Sequence, residues 1–403
     1  MITVKAAKDP ITSNQKFGLA LAGGGPLGGF YELGALCALE DSLHPLTITE
    51  LDVYVGVSAG AFIAAGLANG IDLKIMANIF AFNKKHPTPF NPDHFLQPAY
   101  KDYVLNLAKS PSLLGQTLLK WAKNPLKTSV VDLLETLGKI LPAGVFNNEK
   151  LEAFLQTILT ENGHTNDFRQ LKKQLYIVAC ELNSGKIAGF GNHSNNDVPI
   201  SKAVQASSAL PGLYSPVKIK GKFYVDGALR RTMNASAALK QDTHLLFAVN
   251  PIVPFERDLK MDEKGLVSGG LPLVLSQTFR SIVQSRLKSG LDKYESLFPH
   301  ADIILAEPDA NDETLFKSNL FSYSKRDQLC DYAYQSTRQH LINQKETIEP
   351  ILHRHGMSLN LANLREKNRN INDFLEGKPA QSSWSNMLNE SLDSLERSIR
   401  QQR

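Results

Sequence analysis

The chain has 403 residues, with 42% hydrophobic and 21% charged residues and a formal net charge of +4. This is the composition of an ordinary globular protein with a sizeable core, large enough for one big domain plus an extension. The charge is too small and too dispersed for a nucleic-acid-binding domain. Three widely spaced cysteines, Cys37, Cys180 and Cys330, exclude a disulfide framework or a zinc ligand set and fit a reducing compartment.

The first 16 residues are polar and read as a lead-in without the apolar core of a signal peptide. Residues 17–22 then form an apolar run that stops at Gly23-Gly24-Gly25, within FGLALAGGGPLGGF. Residues 28–43 carry Phe30, Leu33, Leu36 and Cys37 at helical spacing, 51–55 read as a second strand, and 59–69 as a helix of small residues ended by Gly70. Strand, glycine turn, helix, strand, tight turn, helix is the rhythm of a parallel sheet covered by helices. Residues 83–145 break it with Pro87, Pro89, Pro92 and Pro98 and then a leucine- and lysine-rich helical pattern, as an insertion would. Further strands are expected at 175–180, 223–225, 245–249 and 303–305. From about residue 317 the pattern is helical and polar, and Trp384, Leu388, Leu392, Leu395 and Ile399 form a stripe suited to packing on the domain or on a partner helix. No run of about 18 apolar residues is present, so no membrane span is expected.

Two segments carry chemistry. YVGVSAGAF contains Gly56-Val57-Ser58-Ala59-Gly60, a G-x-S-x-G placed between strand and helix. A serine on such a turn projects its hydroxyl at a helix start, and the flanking glycines, Gly56 and Gly60, relieve the crowding. Attack by that serine on an ester builds negative charge on the carbonyl oxygen. Backbone N–H groups unshielded by side chains can hold this charge, each worth about 2.7–4 kcal/mol. Gly24, Gly25 and Ala59 are the candidate donors, supported by Gly23 and Gly28; Pro26 has no N–H. A rival reading takes Gly23, Gly25 and Gly28 as a dinucleotide fingerprint, but the acid that motif needs at the end of the next strand is absent, Asp52 lying near its start. For the base, His244, His300, His340, His353 and His355 all follow Ser58, yet none sits in a strand-end loop beside a partner. Asp226, in FYVDGAL, leaves a strand into Gly227-Ala228 and is the better candidate. Partial desolvation would raise its pKa toward useful basicity.

In this order, Gly23-Gly24-Gly25-Pro26-Leu27-Gly28, Gly56 to Gly60 and Asp226-Gly227-Ala228, joined by ASSALPGLYSPV from Ala206 to Val217, the sequence resembles the patatin-like phospholipase family. The resemblance covers about 17–250, extending toward 307. It implies an α/β fold, a three-layer α/β/α sandwich with a mainly parallel central sheet, here with the helical insertion and a helical C-terminal extension: a hydrolase domain over 17–308 and an extension over 309–403. It implies a lipid acyl hydrolase with Ser58 as nucleophile, Asp226 as general base and acid, no metal or organic cofactor, and a lipid ester substrate, in particular a phospholipid. One departure stands out: Leu27 occupies a position that is usually Arg or Lys in the family. A non-catalytic lipid-binding protein on the same fold is the alternative. The expected location is cytoplasmic, peripheral at a membrane. Lys101, Lys109, Lys120, Lys123, Lys127 and Lys139, interleaved with leucines and Trp121, make the insertion a candidate membrane-contact or lid segment.

Overall fold

The computed structural model describes residues 1–9, 14–82, 90, 97–98, 143–191, 195–256, 267, 269–311 and 325–379. The lysine-rich insertion and the tail stripe at 384–399 lie outside the described residues. Nine strands form the main sheet: β1 (Ile2–Lys5), β2 (Phe17–Leu21), β3 (Val53–Val57), β4 (Gln174–Glu181), β5 (Ile187–Phe190), β6 (Val217–Ile219), β7 (Lys222–Asp226), β8 (Leu245–Val249) and β9 (Asp302–Ala306). Their order is β1-β9-β8-β2-β3-β4-β7-β6, with β5 also paired to β4. The central run from β9 to β4 is parallel, and antiparallel strands flank it on both sides.

Alternation along the central strands builds two cores. Leu19, Leu21, Tyr54, Leu245, Phe247 and Val249 point to one face, where they meet α1 (Gly25–Ser42) and α2 (Ala59–Ala68). Ala20, Val53, Val55, Leu246 and Ala248 point to the other, where α6 (Gly270–Leu297) contributes Leu287, Leu291 and Tyr294. Burial on both faces explains why the strands read as continuous apolar runs. The α1 side also holds α3 (Leu73–Phe80), α4 (Glu149–Thr160) and α5 (Ile200–Ser207). This is the three-layer sandwich that the family resemblance implies.

Two local differences from the sequence reading have simple causes. The lead-in contains β1, which pairs antiparallel with β9 from Ile2 opposite Ala306 to Lys5 opposite Ile303. Four residues are too few for periodicity to reveal them. Helix α1 begins at Gly25 rather than at residue 28, because Pro26 is tolerated in a first turn whose N–H groups lack intrahelical partners. The polar stretch after 317 is helical as expected, giving α7 (Arg326–Asn343) and α8 (Lys345–Arg354), whose buried faces join the α1 core.

The contact between α1 and α7 is close. A Cβ on Gly34 would stand 2.0 Å from the Cys330 carbonyl oxygen, so only glycine fits. At the end of α1, buried Asp41 is gripped by the C-terminal region. Arg369 donates to it through Nε and Nη2, both at 2.6 Å, Tyr334 through its hydroxyl at 2.7 Å, and Asn363 through Nδ2 at 2.9 Å. Removing one partner of such a pair strands a buried charge, which costs about 3–5 kcal/mol. Arg369→Ala is therefore expected to lower unfolding stability by about that amount, read from chemical denaturation, while Lys378→Ala, at an exposed ion pair, leaves the denaturation midpoint nearly unchanged.

Candidate active site

Strand β4 brings the two candidate residues together. Its residues 177–178 pair with β3 and β5 at once, and 179–180 with β5 and β7 at once. A strand has two edges, so β3 and β7 must share the one opposite β5. They run toward each other along it. Val57, the last residue of β3, stands opposite Val178; Asp226, the last of β7, stands opposite Ala179. The residue after Val57 is Ser58, and it meets Asp226 at the junction. Ser58 and Asp226 line the same cavity there, and the Ser58 hydroxyl is one of the groups that pull the Asp226 carboxyl down.

Ser58 has φ 54° and ψ −121°, a conformation that a non-glycine residue adopts only under constraint. The constraints are visible. Its N–H donates to Ser207 Oγ at 2.8 Å, and that hydroxyl donates to Val178 O at 2.6 Å. Its carbonyl accepts from Ala61 N at 3.0 Å. The turn is so tight that a Cβ on Gly56 would lie 2.4 Å from Ala61 Cα, and one on Gly60 would lie 2.7 Å from Ala22 O. Both motif glycines are thus required by space. Ser207 lies in the Ala206–Val217 stretch singled out in the sequence, but its part in holding the nucleophile turn had no signal there.

Asp226 is buried at 3% exposure. Its N–H donates to Ala209 O at 2.9 Å, and its Oδ1 accepts from Ala228 N at 2.8 Å. Gly227 is needed because a Cβ there would stand 2.2 Å from Val178 O. Burial pushes the Asp226 carboxyl up to about 6, against the hydrogen bonds from Ser58 and Ala228, which pull it down. The carboxylate remains a competent proton acceptor at neutral pH with more basicity than a solvated aspartate.

The glycine loop lies over this pair. Gly23 to Pro26 line one cavity with Ser58, Asp226 and Ala228. Gly25 and Ala59 are the first residues of α1 and α2, so their N–H groups have no intrahelical partner, and both helices open at Ser58. Gly24 is pinned from behind: a Cβ on it would meet Pro251 Cγ at 2.5 Å, and Gly28 is approached by the same ring. The strand end Asn250-Pro251 therefore buttresses the loop, with Asn250 tied to Glu307 Oε1 at 2.8 Å.

A second cavity opens from Gly25, Ser58 and Tyr214 between α1, α2 and α3. Its lining is almost wholly apolar, with Phe30, Leu33, Phe62, Ile63, Phe80 and Phe90. Phe62 and Phe80 pack edge to face at 4.8 Å, as do Phe80 and Phe90 at 5.0 Å. Ser58 thus sits where the phenylalanine-lined channel meets a chamber lined also by Asp226, Ser276 and Arg280. The chamber holds a cation that the sequence reading missed, Arg280 of α6, buried at 5% exposure with Nη1 donating to Val253 O at 3.2 Å. An isolated arginine in the apolar run LPLVLSQTFRSIV was the available signal. Leu27, at the position usually basic, faces the α1 core.

The remaining candidates lie elsewhere. Among the described residues no histidine lines either cavity. His355 bonds Asp302 at 2.7 Å, His340 contacts the N-terminal amine, and His244 accepts from Lys16 N. Asp52 accepts from Phe17 N at the opposite end of the strands, as a structural residue. All three cysteines are free and buried. Among the described residues no helix is long and apolar enough to cross a membrane.

Comparison with known proteins places the chain. It is 28% identical over 235 residues to the uncharacterized protein R571 of Acanthamoeba polyphaga mimivirus, covering 58% of this chain and 64% of that protein. It is 21% identical over 223 residues to the probable lipid hydrolase 463L of invertebrate iridescent virus 6, covering 54% and 61%. The matched part thus spans less than two thirds of the length of either relative. Among solved structures, VipD from Legionella pneumophila aligns with a TM-score of 0.36 at 18% identity, covering 82% of this chain and 67% of that one. Human GIVD cytosolic phospholipase A2 aligns with a TM-score of 0.32 at 12% identity, covering 83% and 59%. The family profile described as patatin-like phospholipase matches residues 19–239, which take in the glycine loop, the serine turn and the aspartate strand end. On that match, which runs through more than half of its length, the chain belongs to the patatin-like phospholipase family.

Proposed function

We propose that this protein is a lipid acyl hydrolase that uses Ser58 and Asp226 as a catalytic dyad. The observation that carries the reading is the meeting of β3 and β7 on one edge of β4, which brings Ser58 and Asp226 into one cavity at the mouth of an apolar channel. The acyl chain of a lipid ester lies in the phenylalanine-lined channel. Its carbonyl then sits at Ser58, with the oxygen toward the N–H groups of Gly24, Gly25 and Ala59.

Asp226 takes the hydroxyl proton as Ser58 Oγ bonds to the carbonyl carbon. The negative charge formed on the oxygen is held by the loop and by the two helix starts. Collapse of this intermediate breaks the ester bond, and Asp226 returns the proton to the departing alcohol. Water, deprotonated by Asp226, then attacks the acyl-serine and releases the fatty acid and the restored hydroxyl. The Arg280 chamber receives the alcohol side of the substrate, and Arg280 is the cation placed to meet a phosphate there, which supports a phospholipid as substrate. The alternative of a lipid-binding protein without turnover draws only on Leu27, and Arg280 supplies a positive charge from another element.

Incubation with a fluorophosphonate probe should label the wild-type protein and leave Ser58→Ala unlabelled; an unlabelled, folded wild type would favour the binding reading.

Asp226 must be ionised to act, so activity on a soluble ester should fall about tenfold per pH unit as pH drops below about 6, the folded-state value of this carboxyl. Asp226→Asn should lose about 10²–10⁴-fold in kcat. Its effect on stability has the opposite sign. The Asp226 carboxyl is raised from 3.8 to about 6 in the fold, so the folded chain holds a proton there that the unfolded chain has released. The contribution of this group to stability is full below pH 3.8 and is lost as pH rises through about 6. At pH 7 the asparagine variant should therefore be more stable by about 1–3 kcal/mol. An equally active variant would reassign the base.

A further inference from the structure

Helix α6 does more than cover the sheet. Leu275, Ile282, Arg286, Ser289 and Lys293 follow one another at intervals of seven, four, three and four residues, which places them on a single face. That whole face is exposed; Leu275 and Ile282 are 57% and 46% accessible. Its N-terminal half is apolar and flanks the chamber around Ser58, to which the same helix lends Ser276, Phe279 and Arg280. Its C-terminal half is basic and forms one wall of a groove of about 410 Å³.

The other wall of that groove follows directly from Asp226 and brings Arg230, Arg231 and Lys240 opposite Arg286 and Lys293. No acidic side chain lines it among the described residues, and its floor is apolar, with Leu287, Tyr294 and Phe298. The acids that α6 does carry, Asp292 and Glu295, lie on a different face and are occupied: Lys5 reaches Asp292 at 3.6 Å, and Lys8 reaches Glu295 at 3.0 Å. The five cations of the groove have no carboxylate partner among the described residues.

An exposed helix face that is apolar beside the reaction chamber and basic in the half that follows, the two halves centred about 16 Å apart at 1.5 Å rise per residue, matches a bilayer with negatively charged headgroups. We propose that this face of α6 and the basic groove are the surface by which the protein docks on an anionic membrane. Leu275 and Ile282 enter the headgroup–acyl boundary, the groove seats lipid phosphates, and the Ser58 chamber is held against the source of its substrate. The purpose assigned to the surface rests on the hydrolase reading, but the surface itself is testable without turnover.

The full chain should sediment with phosphatidylcholine vesicles containing phosphatidylglycerol and not with phosphatidylcholine alone, and high salt should release it. Lys240→Gln with Lys293→Gln should weaken that binding by about 25-fold, from about fivefold for each basic residue near a charged surface. Leu275→Ser with Ile282→Ser should also weaken it, at any salt concentration. Both double variants should keep wild-type turnover of a water-soluble short-chain ester, which monitors their folding, and Ser58→Ala should bind vesicles like the wild type. Undiminished vesicle binding by the two double variants overturns the proposal. So does a protein that ignores anionic vesicles but binds single-stranded RNA through Lys240 and Lys293, which would assign the groove to nucleic acid. Loss of ester turnover in the wild type with vesicle binding intact would instead sink the hydrolase reading alone.

Discussion

Two strands that meet end to end on one edge of β4 are the constraint on which the rest of this structure depends. Residues 174–178 of β4 hold β3 and residues 179–181 hold β7, so Val57 and Asp226 are paired with adjacent positions of one strand. Strand pairing thereby brings Ser58 and Asp226 into one cavity, although 167 residues separate them in the chain. Sheet register is difficult to alter, because a slip of one residue would turn every side chain of the strand to the wrong face. The geometry of the pair therefore has the rigidity of the central sheet, and no mobile loop has to find its place before the two residues meet.

That junction is energetically unfavourable taken by itself. It contains a serine at positive φ, a carboxylate removed from water, and glycines at positions where a methyl group would overlap backbone atoms. Strain of this kind survives only where the surroundings over-determine it. Here the surroundings are two apolar cores, one on each face of the sheet, and a chain of hydrogen bonds running from Ser58 N through Ser207 to Val178 O. The helices after residue 325 belong to the same support. The grip of Arg369, Tyr334 and Asn363 on Asp41 fastens the far end of α1, whose near end carries the glycine loop. A contact remote from the reaction centre thus sets the frame in which Gly24 and Gly25 are presented.

What could be read from the sequence divides along the range of the interactions. Strand β8 was legible to the residue at 245–249, and β2, β3, β4, β7 and β9 to within two residues at either end, because each is an apolar run closed by polar or glycine residues. The tight turn at Ser58 and the glycine loop were legible as turns because such backbone geometry admits few residue types. Long-range placement was not. Nothing in LPLVLSQTFRSIV says that Arg280 enters the chamber of Ser58, and nothing in AVQASS says that Ser207 holds the nucleophile's N–H, since both depend on where an element packs rather than on what it is. Strand β1 escaped notice for a related reason: an edge strand of four residues owes its existence to the neighbour that pairs with it.

Leu27 and Arg280 together show how charge can be redistributed within a fixed scaffold. A basic side chain at position 27 would leave from the first turn of α1, where helix dipole and unpaired N–H groups already favour an anion. Here that position is apolar and joins the core, which strengthens the seat of α1 beneath the loop. The cation enters instead from α6, across the chamber, on a helix whose next turns carry the basic groove. Positive potential is thereby drawn away from the glycine loop and continued along one helix toward the surface. On the proposed reading, a charge displaced in this way acts on a substrate phosphate in a low-dielectric chamber and leaves the oxyanion to the backbone amides. In the proposed reaction the glycine loop serves the carbonyl and α6 serves the headgroup, as two separately built parts of one site.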